Sequence, residues 1–336
     1  MRVAVCFNTV PAVAGKGEAV DRISEEGAEA EALSVAAALR QRGHVAELIP
    51  LGEQIDSFIV GLRTFAPDVA FNLCEGFWGE SRREMHVAAL FDLLGVYRTG
   101  SPPLCLGLTQ DKARTKDILL QHGLPTPKSA LVRPGEKFPR VRGLDYPLFV
   151  KPRFEDASLG ITSDSIVHNE KELLRRIAYI HATYRQGALV EEYIDGREFN
   201  VAIFGNNPAE VLPISEIRFA KGLDRPIVSY AGKWLEGSPE YTATEPICPA
   251  RLSKKDELLI GHLALRAYRL LECRDYARVD IRMRDHIPYI LEINANPDIS
   301  PDAGLARSAR VGGHSYPDLV EKIVGMAQKR KEAGHA

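Results

Sequence analysis

Across its first hundred residues the chain alternates short apolar runs with longer segments of helical spacing. The runs fall at residues 3–7, 45–50 and 69–73, and the helical segments at 28–42, 55–65 and 84–94. Alternation of this kind predicts a parallel sheet with crossover helices. In such sheets ligands bind beyond the carboxyl ends of the strands, which points to the loops 8–27 and 74–83.

The pattern then changes. A helix is predicted over 111–122, stopped by Gly123 and Pro125. A strand over 146–151 runs into a polar segment, 153–160, that contains Ser158 and Gly160. Asn169 followed by Glu172 reads as a capping box opening a helix to about residue 184, with a strand at 188–194 after it. Residues 198–204 and 210–217 form a hairpin across a Gly205 turn. Ser253 and Asp256 open a helix reaching 273, and 277–283 pairs with 289–294 around a turn at Asp285-His286. A last helix covers 316–329. The expectation is an α/β first lobe at 1–105 followed by two α+β lobes at 106–195 and 196–336.

Length agrees with several lobes, because single cores stop growing near 250–300 residues and this chain has 336. A net charge of -2 gives no general attraction to nucleic acid. The five cysteines, Cys6, Cys74, Cys105, Cys248 and Cys273, form no CxxC pair and read as reduced and buried. The amino terminus turns polar too soon for a signal peptide, and no segment approaches the roughly 18 apolar residues of a membrane span. A cytoplasmic protein is expected.

The hairpin near the carboxyl end carries the most chemistry. Side chains two apart on a strand share a face, so Arg278 joins Asp280 and Glu292 joins Asn294, while Val279, Ile281, Leu291 and Ile293 are apolar enough for the buried face. Two carboxylates and an amide are the hard oxygen ligands magnesium takes when it also holds phosphate. Arg278 can stabilise developing negative charge. From spacing alone, a solvated hairpin with carboxylate–arginine pairs fits equally well. Lys151, at a strand end before Pro152, is placed to meet a phosphate, and the loop with Ser158 offers amides and a hydroxyl; a solvated lysine and a plain loop remain open.

Six segments in order, Thr99-Gly-Ser101, Gln110-Asp-Lys-Ala-Arg-Thr-Lys116, Phe149-Val-Lys-Pro152, Leu189-Val-Glu-Glu-Tyr193 with Glu198, Ala277-Arg-Val-Asp280 and Leu291-Glu-Ile-Asn294, resemble the ATP-grasp superfamily and its D-alanine–D-alanine ligase-like group over nearly the whole chain. The resemblance implies an ATP-grasp fold, with a substrate-binding first lobe and two lobes enclosing ATP. It implies Lys112, Lys151 and Lys233 on phosphates, Ser158 in the phosphate loop, Glu191 beside the adenine amino group and Glu198 on the ribose. Asp280, Glu292 and Asn294 would hold two magnesium ions, with manganese an acceptable substitute, and Arg278 would face the reacting carboxylate. The implied chemistry is amide formation through an acyl phosphate, with small carboxylate and amine substrates as partners, no nucleic acid or membrane, and room for a homodimer.

The substrate half departs from the family. Its His-Gly motif is replaced by Cys74-Glu-Gly-Phe-Trp-Gly-Glu80, leaving Glu75 and Glu80 as the candidate catalytic carboxylates. Ala303 takes the place of a serine that holds the second substrate. Ser24-Glu25-Glu26 preserves a Ser-x-Glu, while Glu29 and Glu31 read as carboxylates on a helix surface. Substrates other than two D-alanines are expected. Two alternatives stay open, a kinase releasing a stable phosphate ester and a non-catalytic nucleotide-binding protein. An oxidoreductase is disfavoured because no GxGxxG follows the first strand.

Overall fold

The computed structural model describes residues 1–10, 16–138, 143–220, 222 and 226–334, with backbone alone for Ala19 and residues 22–26. The first lobe contains β1 (Arg2–Asn8), α1 (Arg22–Gln41), β2 (Val45–Leu51), α2 (Ile55–Phe65), β3 (Val69–Leu73) and α3 (Glu84–Leu93). Its strands pair in parallel in the order β2-β1-β3, with Val3 beside both Ala46 and Val69. Helices cover both faces of β1, which is why it reads as one unbroken apolar run. Val35 and Leu39 of α1 pack on Val3 and Val5, and on the opposite side Phe58, Leu62 and Phe91 pack on Ala4 and Cys6.

Two helices follow, α4 (Pro103–Gln110) and α5 (Lys112–Gln121), then β4 (Ser129–Val132), β5 (Leu148–Pro152), β6 (Ile166–Val167), α6 (Glu170–Tyr184) and β7 (Ala188–Glu192). These strands make an antiparallel sheet in the order β4-β7-β5-β6. The Asn169 side chain accepts from the Glu172 amide at 3.0 Å, so the cap read from sequence starts α6. Leu173, Ile177 and Ile180 then seal the sheet.

The largest sheet takes up β8 (Arg197–Phe204), β9 (Glu210–Val211), β10 (Ser215–Phe219), β11 (Thr244–Ile247), β12 (Tyr276–Arg284) and β13 (Ile287–Asn294), in the order β11-β10-β8-β12-β13, with β9 also on β8. Short helices α7 (Tyr230–Trp234) and α8 (Pro239–Thr242) lie between β10 and β11. α9 (Lys254–Leu270) covers one face and starts where Ser253 accepts from the Asp256 amide. α10 (Gly304–Val311) and α11 (Tyr316–Glu332) end the chain. Asp285 and His286 both have positive φ, 51° and 61°, the backbone a tight two-residue hairpin needs.

Packing and chain order part company twice. Cys105, Leu106 and Leu119 of α4 and α5 join the core of the largest sheet, alongside Val201 and Val279. At the other end, Leu319, Val320 and Ile323 of α11 return to the first lobe and pack among Val3, Val5 and Val35. The first and third lobes are therefore bolted together. Asp275 is central to this joint: its buried carboxylate accepts from the Gly100 amide, the Asn206 side chain and Arg330 of α11.

Candidate functional site

The β12–β13 register sets Arg278 opposite Asn294 and Asp280 opposite Glu292, so the four side chains form one patch. Val279, Ile281 and Ile293 turn into the core behind it. Leu291, expected among the buried positions, instead lines a cavity. The ladder shifts between Asp280 and Ile281, so that Ile281 opposes Ile290; the bulge adds a residue and breaks the two-residue period.

Asp280 accepts from Arg278 Nε and Nη2 at 2.7 and 2.9 Å, from Asn200 Nδ2 at 2.7 Å and from Asn294 Nδ2 at 3.1 Å. With its amide nitrogen turned to Asp280, Asn294 keeps Oδ1 as an acceptor. Glu292 lies 3.7 Å from Lys112 Nζ. Burial alone would raise its pKa, but Lys112, Lys151, Arg278 and Lys233 outweigh that effect and hold the carboxyl at about 2. Lys112 sits at the start of α5, 2.5 Å from Asp156. Desolvation works against its charge, while Asp156 and Glu292 raise its pKa above the usual lysine value.

Glu191, expected beside adenine, lies between two ammonium groups: Lys116 Nζ is 2.9 Å from Oε2 and Lys151 Nζ 3.0 Å from Oε1. Glu198 accepts from Arg282 Nε at 2.8 Å, and Arg282 also donates to the Ile194 and Pro226 carbonyls. The Ser158 hydroxyl donates to the Val228 carbonyl at 3.1 Å. Its loop has positive φ at Ala157, Ser158 and Gly160. A Cβ at Gly160 would come within 2.8 Å of both Pro152 and Tyr184, so only glycine fits there.

Lys233 belongs to α7, which is tied to the same loop. Tyr230 N donates to the Ile161 carbonyl and Trp234 Nε1 to that of Ala157, both at 2.9 Å. The Tyr230 hydroxyl reaches the Val20 carbonyl of the first lobe at 2.8 Å. Desolvation first, and Arg278 next, lower the Lys233 pKa, against Asp298, Glu75 and Asp280.

These groups face an inter-lobe cavity of about 1010 Å³ whose wall includes Lys151, Ser158, Glu191, Glu198, Lys233, Arg278, Asp280 and Glu292. Lys112 and Asn294 stand beside that wall through Glu292 and Asp280. Glu75 and Glu80 are not part of it. Glu75 is exposed, yet the protein around it still strips away part of its hydration. Aided by Asp298 and Asp156, and opposed by Lys233 and Arg278, this pushes its pKa up to about 7. Glu80 pairs instead with Lys16 at 3.4 Å and Arg82 at 3.3 Å.

Glu31 corrects the helix-surface expectation. It is 7% exposed and its Oε1 accepts from the Ile299 amide at 2.8 Å, because the chain after β13 folds over it. Glu29 is exposed as expected. The side chains of Ser24, Glu25 and Glu26 lie outside the described residues. Asp298, Ala303 and Arg307 line the cavity beyond the hairpin.

Sequence reasoning passed over Lys116, Asn200 and Arg282, although each carried a signal. Lys116 is four residues from Lys112 on one helix. Asn200 and Arg282 each stand two residues from an assigned strand carboxylate. Among the described residues no three acidic, imidazole or thiol groups converge as a metal cluster, and no helix is long and apolar enough to cross a membrane.

Comparison with known proteins gives consistent matches. The sequence model of the family described as D-ala D-ala ligase C-terminus matches residues 119–325. A D-alanine–D-alanine ligase of Desulforudis audaxviator is 34% identical over 300 residues, covering 88% of this chain and 92% of that one. Protein y4sG of Sinorhizobium fredii is 37% identical over 308 residues, covering 88% and 87%. The crystal structure of a Bacillus anthracis D-alanine–D-alanine ligase complexed with ATP superimposes with a TM-score of 0.76 at 24% identity, covering 99% of this chain and 100% of that one.

Proposed function

The chain belongs to the D-alanine–D-alanine ligase family of ATP-dependent carboxylate–amine ligases, and on that premise we propose that it joins an amino-acid-like carboxylate to an amine other than in a pair of D-alanines. The cross-strand patch of Arg278, Asp280, Glu292 and Asn294, with Lys112, Lys151 and Lys233 around it, carries the proposal. In this reading residues 106–195 and 196–336 enclose the nucleotide, and the 1–105 lobe offers the first substrate.

The patch suits magnesium. Glu292 stays anionic under the pull of four cations, Asp280 faces it across the ladder, and Asn294 has an oxygen to spare. Asp280, Glu292 and Asn294 would hold the ion, which supplies charge neutralisation for the phosphates when bound. Apolar Phe149, Ile217 and Leu291 on the cavity wall suit a nucleobase, with Glu198 toward the ribose.

Lys112, Lys151 and Lys233 hold and neutralise the triphosphate while the substrate carboxylate attacks the γ-phosphorus and ADP leaves. The amine then attacks the resulting acyl phosphate. Arg278 stabilises the tetrahedral oxyanion, Glu75 takes the proton from the amine, and phosphate departs. The α7 loop keeps water from the mixed anhydride.

Incubation with ATP, magnesium and pairs of amino acids and small carboxylates, scored by phosphate release and product mass, tests this. Phosphate release should depend on both partners. A phosphate ester formed without an amine would mean a kinase. The 34% identity to a D-alanine–D-alanine ligase favours a second reading, in which two D-alanines are the substrates. D-alanyl-D-alanine made at about 1 s⁻¹ or faster would establish that reading instead.

A further inference from the structure

Glu191 shares its carboxylate between two lysines, and only one of them reaches the cavity. Lys151 and Glu191 lie on the cavity wall; Lys116 does not. Lys116 is 1% exposed, and besides Glu191 its ammonium has the Thr126 hydroxyl at 2.8 Å, which in turn donates to the Ile290 carbonyl at 2.7 Å. Each carboxylate oxygen carries one ammonium, at 2.9 and 3.0 Å. The side chains of all three are at most 5% exposed.

Within the triad, two cations on one anion leave one positive charge over, which Glu292 on the same cavity wall meets only in competition with Lys112, Arg278 and Lys233. Desolvated charge is costly unless it is matched, and the triad opens to a mobile ligand where Lys151 and Glu191 line the cavity. With Lys151 alone, Glu191 would form a closed neutral pair and would compete with any phosphate for that ammonium. Lys116 prevents this by holding the far oxygen.

We propose that Lys116 is a positioning residue for nucleotide binding: by occupying Glu191 from behind, it keeps Glu191 from neutralising Lys151 and leaves that ammonium available to an ATP phosphate. This rests on the reading that Lys151 contacts phosphate. It adds a group that never touches the ligand, and it gives Glu191 the role of tethering the two lysines.

The inference separates function from stability. Lys116→Met keeps the length of the side chain and leaves a neutral Lys151–Glu191 pair, so the fold should hold its melting temperature or gain. The dissociation constant of a non-hydrolysable ATP analogue with magnesium, measured by calorimetry on the full chain, should weaken about thirtyfold. In steady state the KM for ATP should rise by a similar factor, with kcat changed less than about threefold. The same substitution in a Glu191→Gln background should weaken binding less than about threefold, because no carboxylate is left to capture Lys151. That comparison cancels any direct contact of Glu191 with the base. Wild-type affinity in Lys116→Met, a marked fall in its melting temperature, failure to fold, or an equal loss in both backgrounds would each overturn the proposal. Lys151→Met distinguishes the layers. If it binds the analogue like wild type, the phosphate role of Lys151 fails; if it loses binding while Lys116→Met does not, only the role of Lys116 fails.

Discussion

Asp275→Ala should be among the most destabilising single substitutions in the chain, and its size can be worked from the contacts. The carboxylate is fully buried. It accepts from Gly100 N at 2.9 Å, Asn206 Nδ2 at 2.8 Å and both Arg330 Nη atoms at 2.5 and 2.9 Å. Removing it strands a mostly buried guanidinium and two polar donors. Breaking one partner of a buried pair costs about 3–5 kcal/mol; the separate hydrogen bonds, at about 1.5–3 kcal/mol each when charged, are contained in that figure and do not add to it. A smaller backbone contribution comes on top, since Asp275 has a φ of 68°, where aspartate is tolerated better than alanine; it is a fraction of the about 1–2 kcal/mol an L residue pays there. The carboxylate effect therefore dominates. Asp275→Gly, free of the backbone penalty, should recover about 1 kcal/mol relative to alanine. At roughly 2–4 °C per kcal/mol, Asp275→Ala should lower the thermal midpoint, followed by circular dichroism, by about 10 °C or more. Because Gly100 adjoins Ser101, whose hydroxyl donates to the Ala295 carbonyl beside Asn294, activity should fall in step. A midpoint shift under 2 °C would show that the joint between the first and third lobes does not depend on this ion pair.

Three further outcomes follow from the site's electrostatics. Glu292→Gln removes a charge held to about pH 2, so ADP release should drop by about a hundredfold or more, equivalent to the several kcal/mol a bound cation supplies, at every pH from 6 to 9; a deficit confined to one end of that range would contradict this. Glu75, with its pKa near 7, should give a rising acid limb in kcat/KM as it deprotonates, absent in Glu75→Gln. Since bound phosphates neutralise Lys233 and Arg278, which now lower that pKa, the limb in kcat should lie at higher pH than the limb in kcat/KM, and coincident limbs would exclude Glu75 as the base. Burial, with Asp298 and Glu75 nearby, raises the Glu31 pKa well above the carboxylate range, so the fold binds a proton that the unfolded chain releases. The stability tied to Glu31 is intact below the ordinary carboxylate value and declines as pH rises toward the folded one. Glu31→Gln should therefore lose less melting temperature between pH 5 and 8 than wild type, and parallel profiles would refute it.

What the sequence made legible was local. The helix caps at Asn169 and Ser253, the Asp285-His286 turn and the pairing of Arg278-x-Asp280 with Glu292-x-Asn294 depend on residues within a few positions or on a two-residue period. Where reading failed, the cause was distant in the chain. The periodicity of β13 concealed the bulge that turns Leu291 to the cavity. Glu31 sits on a helix whose charged face looks solvated until residues 298–300, some 270 positions later, close over it. The apolar stripe of α11 announced a buried face but not that its partner would be the first sheet. Likewise, the local signals of Lys116 and Glu191 did not join them, and only the approach of α5 to β7 makes them a pair.

The same division explains why the proposed nucleotide half is easier to read than the proposed substrate half. Arg278, Asp280, Glu292, Lys151 and Glu191 stand on strands whose register is set by ladders, so their mutual geometry survives changes elsewhere. Glu75, Asp298 and Ala303 stand on connections, and their surroundings come from three lobes at once. The α7 loop joins these halves. Its four hydrogen bonds to the other lobes, through Tyr230, Trp234 and Ser158, contribute about 1 kcal/mol each, so they hold the loop in place by only a few kcal/mol. One cost of this arrangement is specific, because it places Lys233 within the field of Arg278, and each cation disfavours the other. On the proposed reading, a phosphate held between them would relieve that repulsion and so favour the arrangement in which the two cations are close.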